Sequence, residues 1–368
     1  MSALSLLAVG DVILGANGEW LLSLAAPVLH EADVVVGQLE VPYTKRDPEA
    51  LALEREPDNL AALVSSGFDV LTLASNHLWD AGRAGIEDTL AWLRAHNLGF
   101  VGAGMNLYEA RQPWIVERKG TRFGFLAYNC VGPRETWATP RRPGCAYVHI
   151  ITHYELDHAT PGGPPAIYTW AEPASLENMC ADIRNLRSSC DVLVVSLHKG
   201  IGHTRAKLAA YEYQVSHAAI EAGADIVLAH HAHMLRGVEV YKQKAIFHGL
   251  GNFAVFLPSS ALGSDEDPQS WARRRKELFG FEPDPECPTY PFHREARYTI
   301  IAKFLVKEGR IFRAGFLPCL INRYGQPVVV PRKEGGQEVF DYMEAISREA
   351  GLDTKYGWEK DEIVVGLR

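Results

Sequence analysis

Asn76, His77 and Asp80 stand within one short segment, ASNHLWDAG (74–82), directly after the apolar run DVLTL. An amide oxygen and an imidazole are metal donors or proton carriers, and a carboxylate three residues on is spaced to orient the ring. The same kind of stop recurs along the chain. SLLAVGD ends on Asp11, DVVVGQLE on Glu40, DVLVVSLH on His198, and ADIVLAHH on His230 and His231, with His233 close behind. In an α/β sheet the C-terminal strand ends share one edge, and ligands bind there. Residues about 220 positions apart would then meet in one pocket. Carboxylate, amide and imidazole donors together suit a divalent cation.

Each residue also has an ordinary reading. Asp11 caps a following helix; Glu40 lies exposed beside the turn at Pro42; His77 is a helix residue bonded to Asp80, and one histidine among 14 is a core residue. Those readings must all coincide at equivalent strand ends, which favours the metal.

The elements that would position these residues follow from periodicity. Short apolar runs rich in β-branched residues mark strands at 5–11, 33–40, 69–75, 191–200 and 224–231. Their continuous apolarity implies burial on both faces. Amphipathic stretches predict helices at 19–32, 57–67, 85–97, 173–188, 206–222 and 337–349. The alternation gives an α/β class. Hairpins are expected at 114–129, turning at Lys119-Gly120, and at 237–253 and 297–321. Two stretches break the rhythm, 131–172 and 257–295, and read as insertions of the lid or substrate-binding kind. The organisation expected is one domain over 1–335, with residues 336–368 as a C-terminal helix and tail packed on it.

Bulk properties exclude several classes. A net charge of −8 argues against nucleic-acid binding, which needs a basic face. The N-terminal MSALSLLAVGDVILG lacks a basic region ahead of its apolar run, so it does not read as a signal peptide. No apolar run approaches the roughly 18 residues of a membrane span. The 6 cysteines are scattered without a C-x-x-C pair and read as reduced, buried thiols. A cytoplasmic location, with no membrane or nucleic-acid partner, is the expectation.

GDVILG, GQLEVP, LASNHLWDAG, SLHKG, GADIVLAHHAHMLRGVEVY and HGLGNF, taken in order over about residues 4–256, resemble the CapA family. That family is named for poly-γ-glutamate capsule synthesis and belongs to the calcineurin-like metallophosphoesterase superfamily. The resemblance implies a calcineurin-like sandwich of two packed mixed sheets flanked by helices, with metal at the strand ends. It implies metal ligands at Asp11, Glu40, Asn76, His198, His231 and His233, and an acid/base role for His77. Two departures stand out. The superfamily's first block is D-x-H, but here Ile13 takes the imidazole's place; Glu40 replaces a bridging Asp. Losing a nitrogen donor while keeping oxygens points to one divalent cation. Ca²⁺ is favoured, with Mn²⁺, Mg²⁺ or Zn²⁺ as alternatives, and no organic cofactor.

Histidines beyond the needs of one cation become general acids and bases. Asp80 orients His77, and Asp11 either ligates the metal or orients His231. Two imidazole–carboxylate pairs facing each other form a proton-exchange device, so the expected catalytic set is His77, Asp80, His231 and Asp11. That chemistry is epimerisation. Within CapA-like proteins it resembles the epimerases of lasso-peptide biosynthesis, which implies a precursor peptide whose C-terminal residue, a Trp, is inverted. The first insertion offers Trp137 and Tyr147 as an apolar wall, and Arg134, Arg141 and Arg142 for a terminal carboxylate. SWARRRKELFGF (270–281) is a candidate second wall, or a solvated helix face. A metal-dependent hydrolase of phosphoesters or γ-glutamyl amides is the alternative, and a non-catalytic peptide-binding module is a third reading.

Overall fold

The computed structural model describes residues 3–155, 165–257, 268–284, 286–287 and 289–367. Parts of both expected insertions, 156–164 and 258–267, lie outside the described residues.

The apolar runs form strands where periodicity placed them, at Leu4–Ile13, Val34–Leu39, Val70–Thr72, Val192–Lys199 and Ile226–His231. They belong to two different sheets, not one. The larger has the order Tyr356–Glu359, Glu362–Val365, Arg310–Ile321, Tyr298–Lys307, Leu4–Ile13, Val34–Leu39, Val70–Thr72 and Gly99–Val101. Asn252–Val255 pairs parallel to Leu4–Ile13. The smaller has the order Val238–Tyr241, Lys244–Phe247, Ile226–His231, Val192–Lys199, Thr121–Asn129 and Trp114–Arg118. Both sheets mix parallel and antiparallel pairs.

Side-chain alternation explains how the layers meet. In the smaller sheet Phe123, Phe125, Val192, Val194, Ile226 and Leu228 face the core shared with the larger sheet. Leu126, Leu193, Val195, Leu197 and Val227 face the helices Pro173–Arg187 and Ala210–Ala222. Helix Gly82–Ala95 turns Ile86, Leu90 and Leu93 into the shared core. The result is the expected sandwich of two packed mixed sheets with helices on the outside.

Several expectations change. The hairpin expected at 237–253 is Val238–Tyr241 against Lys244–Phe247, and Asn252–Val255 crosses to the larger sheet. The helix expected at 57–67 is a 3-10 turn, Pro57–Leu60, followed by a short helix, Ala61–Ser65. The helix read at 19–32 is two short helices, Gly18–Leu22 and Ala26–Leu29, with Pro27 at the start of the second, where a missing N–H costs nothing. The helix expected from 85 begins at Gly82, and Asp80 lies in the turn before it. The tail does more than pack on the domain. Its hairpin continues the larger sheet, with Ala314 opposite Val365 and Phe316 opposite Ile363. The first insertion holds another hairpin, Ile150–Glu155 against Ala166–Ala171. All 6 cysteines are buried and free.

Candidate metal centre

Asp11 is delivered by a break in strand register. The first strand shifts against Asn252–Val255 between Asp11 and Val12, and against Val34–Leu39 between Ala8 and Asp11. Such irregularities re-aim a side chain. Gly10 makes the shift feasible, because a Cβ there would sit 2.0 Å from the carbonyl oxygen of Gly251. The Asp11 N–H bonds that same oxygen at 2.9 Å. Glu40 follows the second strand directly and is held by its backbone: its N–H bonds Val12 O at 3.2 Å, and Ser75 Oγ donates to its carbonyl at 2.5 Å.

The larger sheet supplies Asp11, Glu40 and the Asn76-His77 turn; the smaller supplies His198 and the His230–His233 segment. The rim is thus shared by both sheets, because stacked sheets bring their strand ends together. Strict alternation would send His231 to the helix side, as it does its register partner Lys199. Left-handed backbone at His231 (φ 87°) and His233 (φ 56°) breaks the alternation. The His231 ring then lies 5.0 Å from His198 and 6.2 Å from His233, centroid to centroid.

Two donor sets result. Ligand atoms of Asp11, Glu40 and His233 lie within 4.8 Å of one another. Asn76 Oδ1 meets His198 Nε2 at 2.7 Å and His231 Nδ1 at 3.2 Å. Asp11 and Glu40 are fully buried, and Asp11 Oδ1, Glu40 Oε1 and Glu40 Oε2 have no hydrogen-bond partner among the described residues. Burying carboxylate oxygens bare is costly unless a cation satisfies them. Burial, then the charge of Asp11, pushes the Glu40 carboxyl well above its usual range. Burial keeps the imidazoles neutral and able to ligate: His198 lies well below the ordinary value, His231 is pulled down to about 3, and His233 is lowered. The donor set fits a divalent cation.

Asp11 does not orient the His231 ring. Its Oδ2 accepts from the His231 backbone N–H at 3.4 Å, while its carboxylate faces the rings of His230 at 3.4 Å and His233 at 3.6 Å. Asp80 accepts from His77 Nδ1 at 2.9 Å, and Arg55 Nη1 lies 3.5 Å from the same Asp80 oxygen. Ser75 Oγ accepts the His77 N–H at 3.0 Å and fixes the turn. Burial pulls the His77 imidazole down, but the Asp80 hydrogen bond and the Glu40 charge outweigh it and leave the ring above its usual pKa.

The first insertion starts from this rim, with the Cys130 N–H on His198 O at 2.8 Å. Trp137 stacks on Tyr147, centroids 4.4 Å apart, and the Arg134 guanidinium lies 5.5 Å from the Trp137 ring. Arg142 sits over Trp79, two residues from His77, with Nη2 bonded to the carbonyls of Trp137 and Arg134. Arg141 is exposed at a turn. From the second stretch, Phe279 and Phe281 lie near His203, which stacks on His233.

Sequence reasoning missed several supporting residues. Asn252 Oδ1 accepts from His233 Nδ1 at 2.9 Å, so the Nε2 lone pair is the one 3.4 Å from Glu40 Oε1. Tyr290 fixes the Asn252 amide through a bond from its Nδ2 at 2.9 Å. Asn252 sits in the HGLGNF block, where a polar residue after a glycine turn was the available signal. Arg55 and Tyr290 carry none, because their partners are distant in sequence.

Comparison with known proteins agrees with this architecture. The family described as bacterial capsule synthesis protein PGA_cap matches residues 5–256. The capsule biosynthesis protein CapA of Bacillus anthracis is 27% identical over 267 residues, covering 68% of this chain and 59% of that protein. The PGA biosynthesis protein CapA of Bacillus subtilis (strain 168) is 27% identical over 260 residues, covering 67% and 61%. The chain thus spans about 60% of the length of these curated relatives. A novel phosphatase from Mycoplasma pneumoniae superposes with a TM-score of 0.50 at 12% identity, over 87% of this chain and 94% of that one, a likeness of fold. The sequence match extends over more than half of the chain and spans every residue of both donor sets, from Asp11 to His233. The chain belongs to the bacterial capsule synthesis protein PGA_cap family.

Proposed function

We propose that this chain is a metal-dependent peptide epimerase that inverts the Cα of a C-terminal residue, Trp in the reading that resemblance favours. The branch it resembles is that of the lasso-peptide epimerases, MslH among them. The observation carrying this reading is the His77–Asp80 pair. It is 40% and 37% exposed at the rim of a cluster whose carboxylates, Asp11 and Glu40, are fully buried, so a substrate can reach it. Asp80 accepts the hydrogen bond of Nδ1–H, which leaves Nε2 as the base, and Arg55 holds Asp80.

A divalent cation held by Asp11, Glu40 and His233, with Asn76, His198 and His231 alongside, would supply Lewis-acid polarisation of a substrate carbonyl. His77 removes the α-proton from one face. His231, the second imidazole of the set, would take up a proton from solvent and return it from the other face, while His77 gives up to solvent the one it gained. Ile13 puts an alkyl group where the superfamily has an imidazole, consistent with one cation of the Ca²⁺ type. The peptide would lie between the Trp137–Tyr147 stack and the His203 side of the centre.

The adjacency of the two donor sets favours a second reading, hydrolysis of a phosphoester or γ-glutamyl amide with two cations. The matched relatives are named for capsule and PGA biosynthesis. The deciding experiment incubates chelator-treated protein with Ca²⁺, Mn²⁺, Mg²⁺ or Zn²⁺ and Trp-terminated peptides in heavy water. Deuterium at the terminal Cα with inversion supports the epimerase. Turnover of a chromogenic phosphoester requiring two cations per chain, without exchange, would replace it by the hydrolase.

A further inference from the structure

His203 belongs to neither donor set, yet it lies against the centre. It sits in the loop IGHTRA (201–206) with left-handed backbone, φ 54°, a conformation that a non-glycine residue keeps only where its surroundings impose it. Its N–H bonds Ala232 O at 3.0 Å. Its ring is nearly parallel to that of His233, with centroids 5.2 Å apart and planes at 18°. Phe279, Phe281 and Phe292 surround it at 4.7, 5.3 and 5.9 Å. The Arg275 guanidinium lies over Phe279, 5.4 Å from the ring centroid, with Nη1 3.4 Å from His203 Nε2.

A guanidinium only donates hydrogen bonds, so His203 Nε2 is the acceptor and the neutral ring carries its proton on Nδ1. That Nδ1 is buried and meets no partner among the described residues. An unanswered buried donor is a standing cost that an incoming oxygen removes. An oxygen placed there would be bound by a ring that stacks on His233 and whose other nitrogen meets the Arg275 guanidinium. Phe279, 44% exposed, is available to a neighbouring apolar side chain.

We infer that His203 is a substrate-binding residue whose Nδ1–H, with Arg275 adjoining, receives the terminal carboxylate of the peptide while Phe279 meets its last side chain. This rests on the peptide reading above. It assigns the carboxylate to His203 beside His233 and not to Arg134, Arg141 or Arg142, of which Arg142 is already bonded to two carbonyls.

The test is calorimetric titration of the metal-loaded full chain with a short synthetic peptide ending in Trp, as free acid and as carboxamide. Wild type is expected to bind the acid at least about tenfold more tightly than the amide. His203→Phe keeps the ring stack but has no N–H, so it should weaken acid binding about tenfold and amide binding, whose carbonyl is the weaker acceptor, by much less. His203→Asn tolerates the left-handed backbone and carries an amide donor, so it should recover part of the preference. Should His203→Phe not fold, the wild-type comparison and His203→Asn still decide. Equal wild-type affinities, no measurable binding of either form, or full discrimination in His203→Phe would overturn the assignment. So would inorganic phosphate binding to wild type that is lost in His203→Phe, since the receptor would then be one for phosphate. Discrimination without α-deuterium exchange would remove the epimerase and leave this receptor standing; exchange without discrimination would do the reverse.

Discussion

At the scale of single residues, the centre is a balance between bare carboxylates and the cation they are shaped to hold. Glu40 is buried beside Asp11 with neither carboxylate oxygen bonded. Glu40→Gln removes one buried charge, so the metal-free protein should melt at or above the wild-type temperature. It should also lose the stabilisation that a divalent cation confers, about 2.7 kcal/mol at a hundredfold excess over Kd. Thermal melts of chelator-treated protein with and without added cation measure both effects. Asp80 raises the His77 imidazole and fixes its tautomer. Asp80→Asn should slow α-deuterium exchange roughly 10- to 100-fold. It should also move the acidic limb of the pH–rate profile to lower pH, because the ring loses the partner that held its proton.

At the scale of elements, the strand ends are fixed from behind. Lys199 follows His198 on the same strand and, by alternation, faces helix Ala210–Ala222. Its Nζ lies 3.3 Å from Glu212 Oε2 and 2.9 Å from His248 Nδ1, all three side chains being buried. His248 Nε2 donates to Glu239 at 2.8 Å, and Glu239 also accepts from His217 at 2.7 Å. Burial lowers the Lys199 amine, and Glu212 works against that. Lys199→Met strands a buried carboxylate, and urea unfolding should show a loss of about 3–5 kcal/mol. Adding Glu212→Leu should return much of it, since replacing both partners removes the uncompensated charge. Gly10 has the same supporting role in the larger sheet. Gly10→Ala drives a methyl into Gly251 O, so it should cost on the order of 1–3 kcal/mol and displace Asp11, read as weakened cation affinity.

For the whole molecule, the consequence of gathering histidines out of contact with most of the solvent is a dependence of stability on pH. His203 is pulled down to about 2, His231 to about 3 and His248 to about 4, burial being the first cause in each. The unfolded chain protonates the same rings near pH 6.5, so below that pH it binds more protons than the fold does. Stability from this source is complete above about pH 6.5 and is lost as the pH falls from there toward the folded values. At pH 5.5 each such ring should cost about 1.4 kcal/mol. Urea midpoints of the metal-free protein should decline from pH 7 to pH 5 accordingly. None of the described helices is long and apolar enough to cross a membrane.

The class of fold, and the residues that gather at the strand ends, are legible in the order of amino acids alone. Continuous β-branched runs can bury both faces only in a layered sheet, and Asp11, Glu40, Asn76, His77, His198, His231 and His233 each follow from a strand that stops. Only the tertiary structure decided how they divide. Stacking the two sheets set Asp11, Glu40 and His233 apart from Asn76, His198 and His231. Left-handed turns at His231 and His233 overrode the alternation that sequence reading assumes. The contacts of Asn252 and Arg55 have no local signature either, because a hydrogen bond or ion pair depends on where two distant segments come to rest in space, and no spacing along the chain encodes that.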